Sequence, residues 1–182
     1  MPQRGPSVLV VGAGIIGAAS AYALQSAGAQ VTIVDAGGET ATDASFGWIN
    51  ACFHHDTAHF HLRCEGIAAW ERLTGQLTLP VTWPGTLCWE ETGVAFDAQR
   101  DQLAVLGYAV TEVDRAQFAA LEPHVATPPE RALHFPQEAA AHSPQVAQAL
   151  LAGVDKDGAR SLRGLRVERL VEEKGRVEGI CA

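Results

Sequence analysis

Apolar and polar positions fall into several distinct patterns along the chain. SVLVVGAG, residues 7–14, is a run of Val and Leu without alternation, the pattern of a strand buried on both faces of a parallel sheet. IIGAASAYALQSAG follows, rich in Ala and other helix formers, and closes at Gly28 as a C-cap. AQVTIVDA is then a β-branched strand. Strand, helix and strand in that length predict a βαβ unit with a right-handed crossover.

The middle of the chain changes character near Val81. VTWPGTLCWEE places Trp83, Leu87 and Trp89 in a strand-like setting, with Pro84 and Gly85 marking a turn. DAQRDQLAVLGYAV reads as a helix leading into a short strand, and DRAQFAALEP as a capped helix ended before Pro123. SPQVAQALLAGV predicts a helix with Ser143 as N-cap, Pro144 at its first position and Gly153 near its end. RSLRGLRVERLVEE and GRVEGICA are two strand-like stretches around EEKG, a hairpin or meander.

The first unit also carries chemistry. Gly12, Gly14 and Gly17 have G-x-G-x-x-G spacing between the strand and the helix. The first glycine permits the tight turn, the second lets backbone approach a pyrophosphate, and the third lets helix and strand pack closely. The helix N-terminus adds free N–H groups and the positive end of its dipole. Asp35 closes the second strand, roughly 20 residues on, where a carboxylate accepts hydrogen bonds from a ribose and disfavours a 2′-phosphate. These residues predict an adenine dinucleotide and leave FAD and NAD open. The next segment, GGETATDASFGWINACF, is small and polar. It does not continue as the third helix and strand of a nicotinamide dehydrogenase, and suits backbone wrapped closely around a ligand.

Composition narrows the class. The 182 residues are 47% hydrophobic and 19% charged, as in a globular protein. A net charge of −8 with scattered basic residues argues against nucleic acid or an anionic membrane as the main partner. The Arg160, Arg163, Arg166 and Arg169 group lies on strand-like sequence and reads as a solvated face. No apolar run reaches the roughly 20 residues that cross a bilayer, and the N-terminus lacks the pattern of a secretory signal. Cys52, Cys64, Cys88 and Cys181 show no C-x-x-C spacing. They read as reduced thiols, and the cytoplasm is the expected location.

VLVVGAGIIGAASAYALQSAGAQVTIVD together with ASFGWINA resembles the FAD-dependent amine and amino-acid oxidoreductases. That group includes D-amino-acid oxidases and dehydrogenases, glycine oxidase and sarcosine oxidase. WPGTLCW resembles the strand that opens the family's substrate domain. FPQEAAAHSPQVAQALLAGVDKDGARSLRGLRVERL resembles the segment that returns to the FAD domain.

The resemblance implies an α/β fold: a Rossmann-like FAD-binding domain of the glutathione-reductase type, with a parallel sheet and a β-meander. Part of an antiparallel α+β substrate domain is inserted in it. Residues 1–80 would begin the FAD domain, 81–140 the substrate domain, and 141–182 would return to the first. It also implies that Gly12, Gly14 and Gly17, with Ile15 and Ile16 in the same turn, hold the FAD pyrophosphate. Asp35, beside Ala36, would hold the adenosine ribose. Ala44, Ser45, Gly47, Asn50 and Ala51 match the loop that passes the pyrophosphate and flavin, and Val167 the position whose backbone meets adenine. The family more often has Glu where Asp35 stands, and an Arg frequent shortly afterwards is absent. The resemblance covers the N-terminal half of such an enzyme, so the chain is expected to be truncated, with groups that bind substrate and cover the flavin lying outside it.

Other signals in the sequence compete with this reading. His54, His55, Asp56, His59 and His61 lie close together, with His55 and His59 at i and i+4 if helical. No third ligand, Glu65 included, has clear spacing, so they read as a polar helix start and no metal is expected. Ser45 with a histidine lacks a G-x-S-x-G elbow, which sets a hydrolase aside. Trp70, Trp83 and Trp89 read as packing residues, whereas Trp48 lies in the flavin loop. Asn50 serves either as a partner of the isoalloxazine or as a loop cap. The expected activity is oxidation of the C–N bond of an amino acid or secondary amine by hydride transfer to flavin N5, with the catalytic residue unassigned. The alternatives are an NAD-dependent dehydrogenase and a non-catalytic fragment or subunit needing a partner chain.

Overall fold

The computed structural model describes residues 5–156 and 158–182. In chain order the elements are β1 (Ser7–Val11), α1 (Ile15–Ser26), β2 (Gln30–Asp35), β3 (Trp48–Ile49), α2 (Thr57–Gln76), β4 (Val81–Thr82), β5 (Thr86–Cys88) and α3 (Gly93–Val105). They continue with β6 (Thr111–Asp114), α4 (Arg115–Leu121), β7 (Arg131–Phe135), β8 (Ala139–Ala141), α5 (Ser143–Lys156), β9 (Arg160–Arg163), β10 (Arg169–Glu173) and β11 (Arg176–Cys181). The chain divides into two compact units. One holds the residues up to Phe46, Thr78–Pro80 and His142–Ala182, and the other holds Gly47–Leu77 and Val81–Ala141.

The first unit is built on the βαβ element. β1 pairs parallel with β2, Val10 facing Ile33, and β2 pairs parallel with β9, giving the order β1-β2-β9. α1 ends as its sequence predicts: Gly28 has φ +89° and donates to the Gln25 carbonyl, while Ala29 N donates to Leu24. α5 turns a stripe of Val146, Ala147, Leu150, Leu151 and Val154 inward, at the spacing of one helix face. It packs on α1 where Gly153 meets the Tyr22 ring and Gln25 Nε2 donates to the Val154 carbonyl at 3.1 Å.

Three details differ from expectation. β1 is half-buried on one face, at Val8 and Val10, and open on the other, where Leu9 and Val11 are exposed at 40% and 54%. It is the edge strand of the sheet, and its outer face borders a cavity of about 660 Å³ shared with Leu170, Val177 and Ile180. The stretch RSLRGLRVERLVEE is two strands, because Gly164 at φ +75° turns the chain. β9 therefore joins the parallel sheet while β10 and β11 form the hairpin, closed by Lys174 and Gly175 at φ +52° and +75°. Positive φ at both central residues marks a two-residue turn whose twist suits a hairpin. Finally, α5 begins at Ser143 itself. The cap belongs to His142, whose Nδ1 accepts from Gln145 N at 3.4 Å and whose carbonyl accepts from Val146 N at 3.0 Å.

The second unit carries two antiparallel sheets, ordered β3-β8-β4 and β5-β7-β6. Asp114 caps α4 in a reciprocal box with Gln117. Phe96, Phe118, Phe135, Leu103 and Leu133 are fully buried in this unit. Phe118 meets the edge of Trp89 with ring centroids 5.0 Å apart. Phe118→Ala is expected to destabilise this unit by about 3–5 kcal/mol, measured by urea unfolding followed through Trp89 fluorescence.

Candidate functional site

The glycine turn is dictated by space. Gly12 has φ +97°, and its N–H donates to the Val34 carbonyl at 2.8 Å, tying the end of β1 to β2. A Cβ on Gly17 would overlap the Gly12 carbonyl oxygen and lie 2.9 Å from its carbon, so α1 approaches the turn only because no side chain intervenes. Gly14 is the N-cap of α1 and supplies no capping side chain. The first intrahelical bond is from Ala18 N to the Gly14 carbonyl, so the amides of Ile15, Ile16 and Gly17 precede the helix ladder.

One of those amides has a partner that the sequence reading missed. Thr42, buried, accepts from Ile15 N through Oγ1 at 2.9 Å, and the same oxygen would lie 3.0 Å from a Cβ on Gly14. The partners are far apart in sequence, and no local pattern marks a lone threonine for this task. Thr42 thus ties the loop holding Ala44 and Ser45 to the start of α1. Ser45, in turn, donates its N–H to the Thr42 carbonyl and its Oγ accepts from Ser143 Oγ at 3.4 Å.

Asp35 bridges the turn and the end of β2. Its Oδ2 accepts from Ala13 N and its Oδ1 from Gly37 N, both at 2.8 Å. Its carbonyl accepts from Leu165 N at 3.0 Å, which brings the chain segment before Val167 to the same strand end. Gly12, Gly14, Ile15, Ile16, Gly17, Asp35, Ala36, Ala44, Ser45 and Val167 all lie in the first unit. Gly47, Asn50 and Ala51 lie in the second.

In the second unit the Gly47–Cys52 segment is held from two sides. Arg63, on α2, donates through Nε to the Asn50 carbonyl at 3.0 Å and through Nη2 to Asn50 Oδ1 at 2.6 Å. Asn50 is buried, and its Nδ2 donates to the Trp48 carbonyl at 3.4 Å, so its side chain fixes the loop. Glu138, fully buried, accepts from Ala51 N, Cys52 N and Tyr108 OH through Oε1, and from Trp48 Nε1 through Oε2. Neither Arg63 nor Glu138 was singled out from sequence. A lone acid inside the apolar stretch FPQEAAA is the one signal that pointed to Glu138.

The histidine cluster is not a helical pair. α2 starts at Thr57 with Asp56 as its N-cap, leaving His55 outside the helix, where its N–H donates to His59 Nδ1 at 3.2 Å. Among the described residues no group of three or more His, Cys, Asp or Glu could hold a metal ion.

The residues of the first unit suit a dinucleotide: an extended glycine turn, helix amides ahead of the ladder, and a carboxylate at the end of β2. The sequence matches the FAD dependent oxidoreductase family over residues 7–182, and the chain belongs to that family, whose cofactor is FAD. This decides for FAD over NAD. No curated protein matches the sequence.

The fold is similar to that of glycine oxidase from Bacillus cereus (TM-score 0.85, 18% identity, 97% of this chain and 50% of that one). It is also similar to iminodiacetate oxidase from Chelativorans (0.77, 24%, 85% and 46%). A third likeness is to L-amino acid deaminase from Proteus myxofaciens (0.84, 16%, 99% and 42%). The chain thus spans about half the length of the solved structures it matches, 50% and 46% of the first two. Among the described residues no helix is long and apolar enough to cross a membrane.

Two outcomes are expected. Gly17→Ala forces α1 away from the Gly12 carbonyl, costing roughly 1–3 kcal/mol and weakening FAD binding, read by thermal unfolding and flavin titration. The second concerns ionisation. The Cys52 thiol is pushed far up by its contact with Cys88, by burial and by the Glu138 charge, and the Tyr108 hydroxyl is pushed up by burial and then by Glu138. Both stay protonated in the fold and ionise more readily when unfolded. Their contribution to stability is therefore complete below a thiol's ordinary value of about 8.5 and is lost as pH rises above it. Urea unfolding should show falling stability on the alkaline side, and Cys52 should resist alkylation at pH values where exposed thiols react.

Proposed function

We propose that the chain is the FAD-binding part of an oxidoreductase that oxidises the C–N bond of an amino acid or secondary amine. The single observation that carries the cofactor side is the Gly12–Gly17 contact, which places the start of α1 beside Asp35 through the Ala13–Asp35 hydrogen bond. In this reading Gly12, Gly14 and the amides of Ile16 and Gly17 receive the pyrophosphate, and Asp35 with Ala36 receives the adenosine ribose. Ala44 and Ser45 follow the pyrophosphate, Gly47 and Asn50 face the flavin with the fully buried Ala51 supporting the same loop from behind, and the Val167 backbone meets adenine. When bound, FAD supplies the hydride acceptor at flavin N5. The protein's own part is to hold the turn, order the Gly47–Cys52 loop and exclude water from it.

The substrate class is supported by the company the fold keeps, since glycine oxidase, iminodiacetate oxidase and L-amino acid deaminase all share it. Residues 1–80 and 141–182 would belong to the FAD-binding part and 81–140 to the start of the substrate domain. The four cysteines, unpaired in the structure, suit a reducing cytoplasm.

The test is flavin retention by the purified protein. A visible flavin band should survive removal of excess FAD, and FAD at about a hundred times its Kd should raise unfolding stability by about 2.7 kcal/mol. Asp35→Ala should weaken binding at least about tenfold. Anaerobic addition of small amino acids or secondary amines should bleach the band. A folded protein with neither band nor stabilisation overturns the cofactor assignment, and a band that no amine bleaches overturns the substrate class.

A further inference from the structure

The Gly47–Cys52 loop leaves its sheet after Ile49, where β3 pairs with β8 through Trp48–Ala140 and Ile49–Ala139. The Ala51 and Cys52 amides that follow have no strand to bond to. Both are given to one atom, Glu138 Oε1, at 3.2 Å. The same oxygen accepts from Tyr108 OH at 2.8 Å, and that hydroxyl oxygen itself accepts from Ala51 N at 3.2 Å. Oε2 accepts from the Trp48 indole at 3.1 Å, which also donates to Thr86 Oγ1, and stands 3.6 Å from Cys52 Sγ. Glu138 is fully buried, and its partners among the described residues are all neutral. A buried carboxylate surrounded only by neutral donors keeps its place by collecting them, and here the donors come from the loop itself.

We infer that Glu138 is a positioning residue for the flavin: it gathers Trp48, Cys52 and the fully buried Ala51, and so sets the conformation in which Gly47 and Asn50 meet the isoalloxazine. This rests on the proposed contact between that loop and the flavin. Glu138 touches neither cofactor nor substrate in this role. It acts through the loop, with Tyr108 as the second member of the same network and Arg63 holding Asn50 from α2. Glu138→Gln preserves shape but turns one acceptor into an N–H₂ donor. It then faces either the Ala51, Cys52 and Tyr108 donors or the Trp48 indole with the wrong group.

The experiment is amide hydrogen exchange by NMR and FAD titration on the whole protein, wild type against Glu138→Gln and Tyr108→Phe. Exchange at Ala51 and Cys52 is expected to accelerate at least about tenfold in Glu138→Gln, while Leu133 in the central strand β7 stays protected. FAD binding should weaken by a similar factor, with a shifted flavin band. Tyr108→Phe, which keeps the ring and removes a single hydroxyl, should accelerate Ala51 alone by a smaller factor. It carries the test if Glu138→Gln does not fold. Unchanged exchange at Ala51 and Cys52, or equal acceleration at Leu133, overturns the role of Glu138. Local acceleration with unchanged FAD affinity and spectrum instead overturns the contact between this loop and the flavin.

Discussion

The overlap that any side chain at Gly17 would suffer with the Gly12 carbonyl is the constraint on which the first unit depends. Because nothing stands between them, α1 starts directly over the turn that ends β1. Its first amides then come within reach of groups from elsewhere in the chain: Thr42 takes Ile15 N, and Asp35 takes the amide of Ala13 one residue before the cap. A helix set further away would lose both bonds together. The turn, the second strand end and the loop after it are thus a single hydrogen-bonded object. Its amides at Ile16 and Gly17 stay ahead of the helix ladder, which is what the proposed pyrophosphate contact requires.

The second unit is organised around the opposite kind of constraint, a buried charge. Removing a carboxylate from water costs several kcal/mol even after relaxation, and each charge-assisted hydrogen bond returns roughly 1.5–3 kcal/mol. Glu138 is stable inside only while most of its donors are in place. That couples the conformation of Gly47–Cys52 to this network, since Glu138 joins Ala51, Cys52, Trp48 and Tyr108. The suppressed ionisation of Tyr108, by burial and then Glu138, and of Cys52, by its contact with Cys88, by burial and then by Glu138, belongs to the same site, because a second negative charge beside Glu138 in a dry interior is disfavoured.

The parts legible in the sequence are those whose cause is local. β1, α1 and β2 follow from apolar runs, a capping glycine and the glycine spacing. The α4 cap follows from Asp114 and Gln117 three residues apart. The parts that were not legible depend on partners distant in the chain. Thr42 and Ile15 are 27 residues apart, and Glu138 and Ala51 are 87 apart. The two-sided burial expected for β1 failed for a related reason: a Val-rich run records that a strand is apolar, but which of its faces is covered depends on what packs on the sheet. His55 shows the converse. The i, i+4 spacing is real in the sequence, yet Asp56 caps the helix one residue after it and removes His55 from the helical face.

Asp35 shows how little chemistry the shorter carboxylate gives up. Both of its oxygens already accept a backbone N–H, from Ala13 and from Gly37. A carboxylate offers about four lone-pair sites, so each oxygen keeps capacity for a further donor, which the proposed ribose contact would use. The two backbone bonds also fix the plane of the carboxylate before any ligand arrives, which reduces the ordering that binding must supply. A longer Glu at this place would add reach along with a further rotatable bond. With Asp the reach is supplied by the backbone instead, because the Ala13 bond draws the glycine turn toward the end of β2. The same short side chain that departs from the family's more frequent residue is therefore suited to a turn this tightly packed.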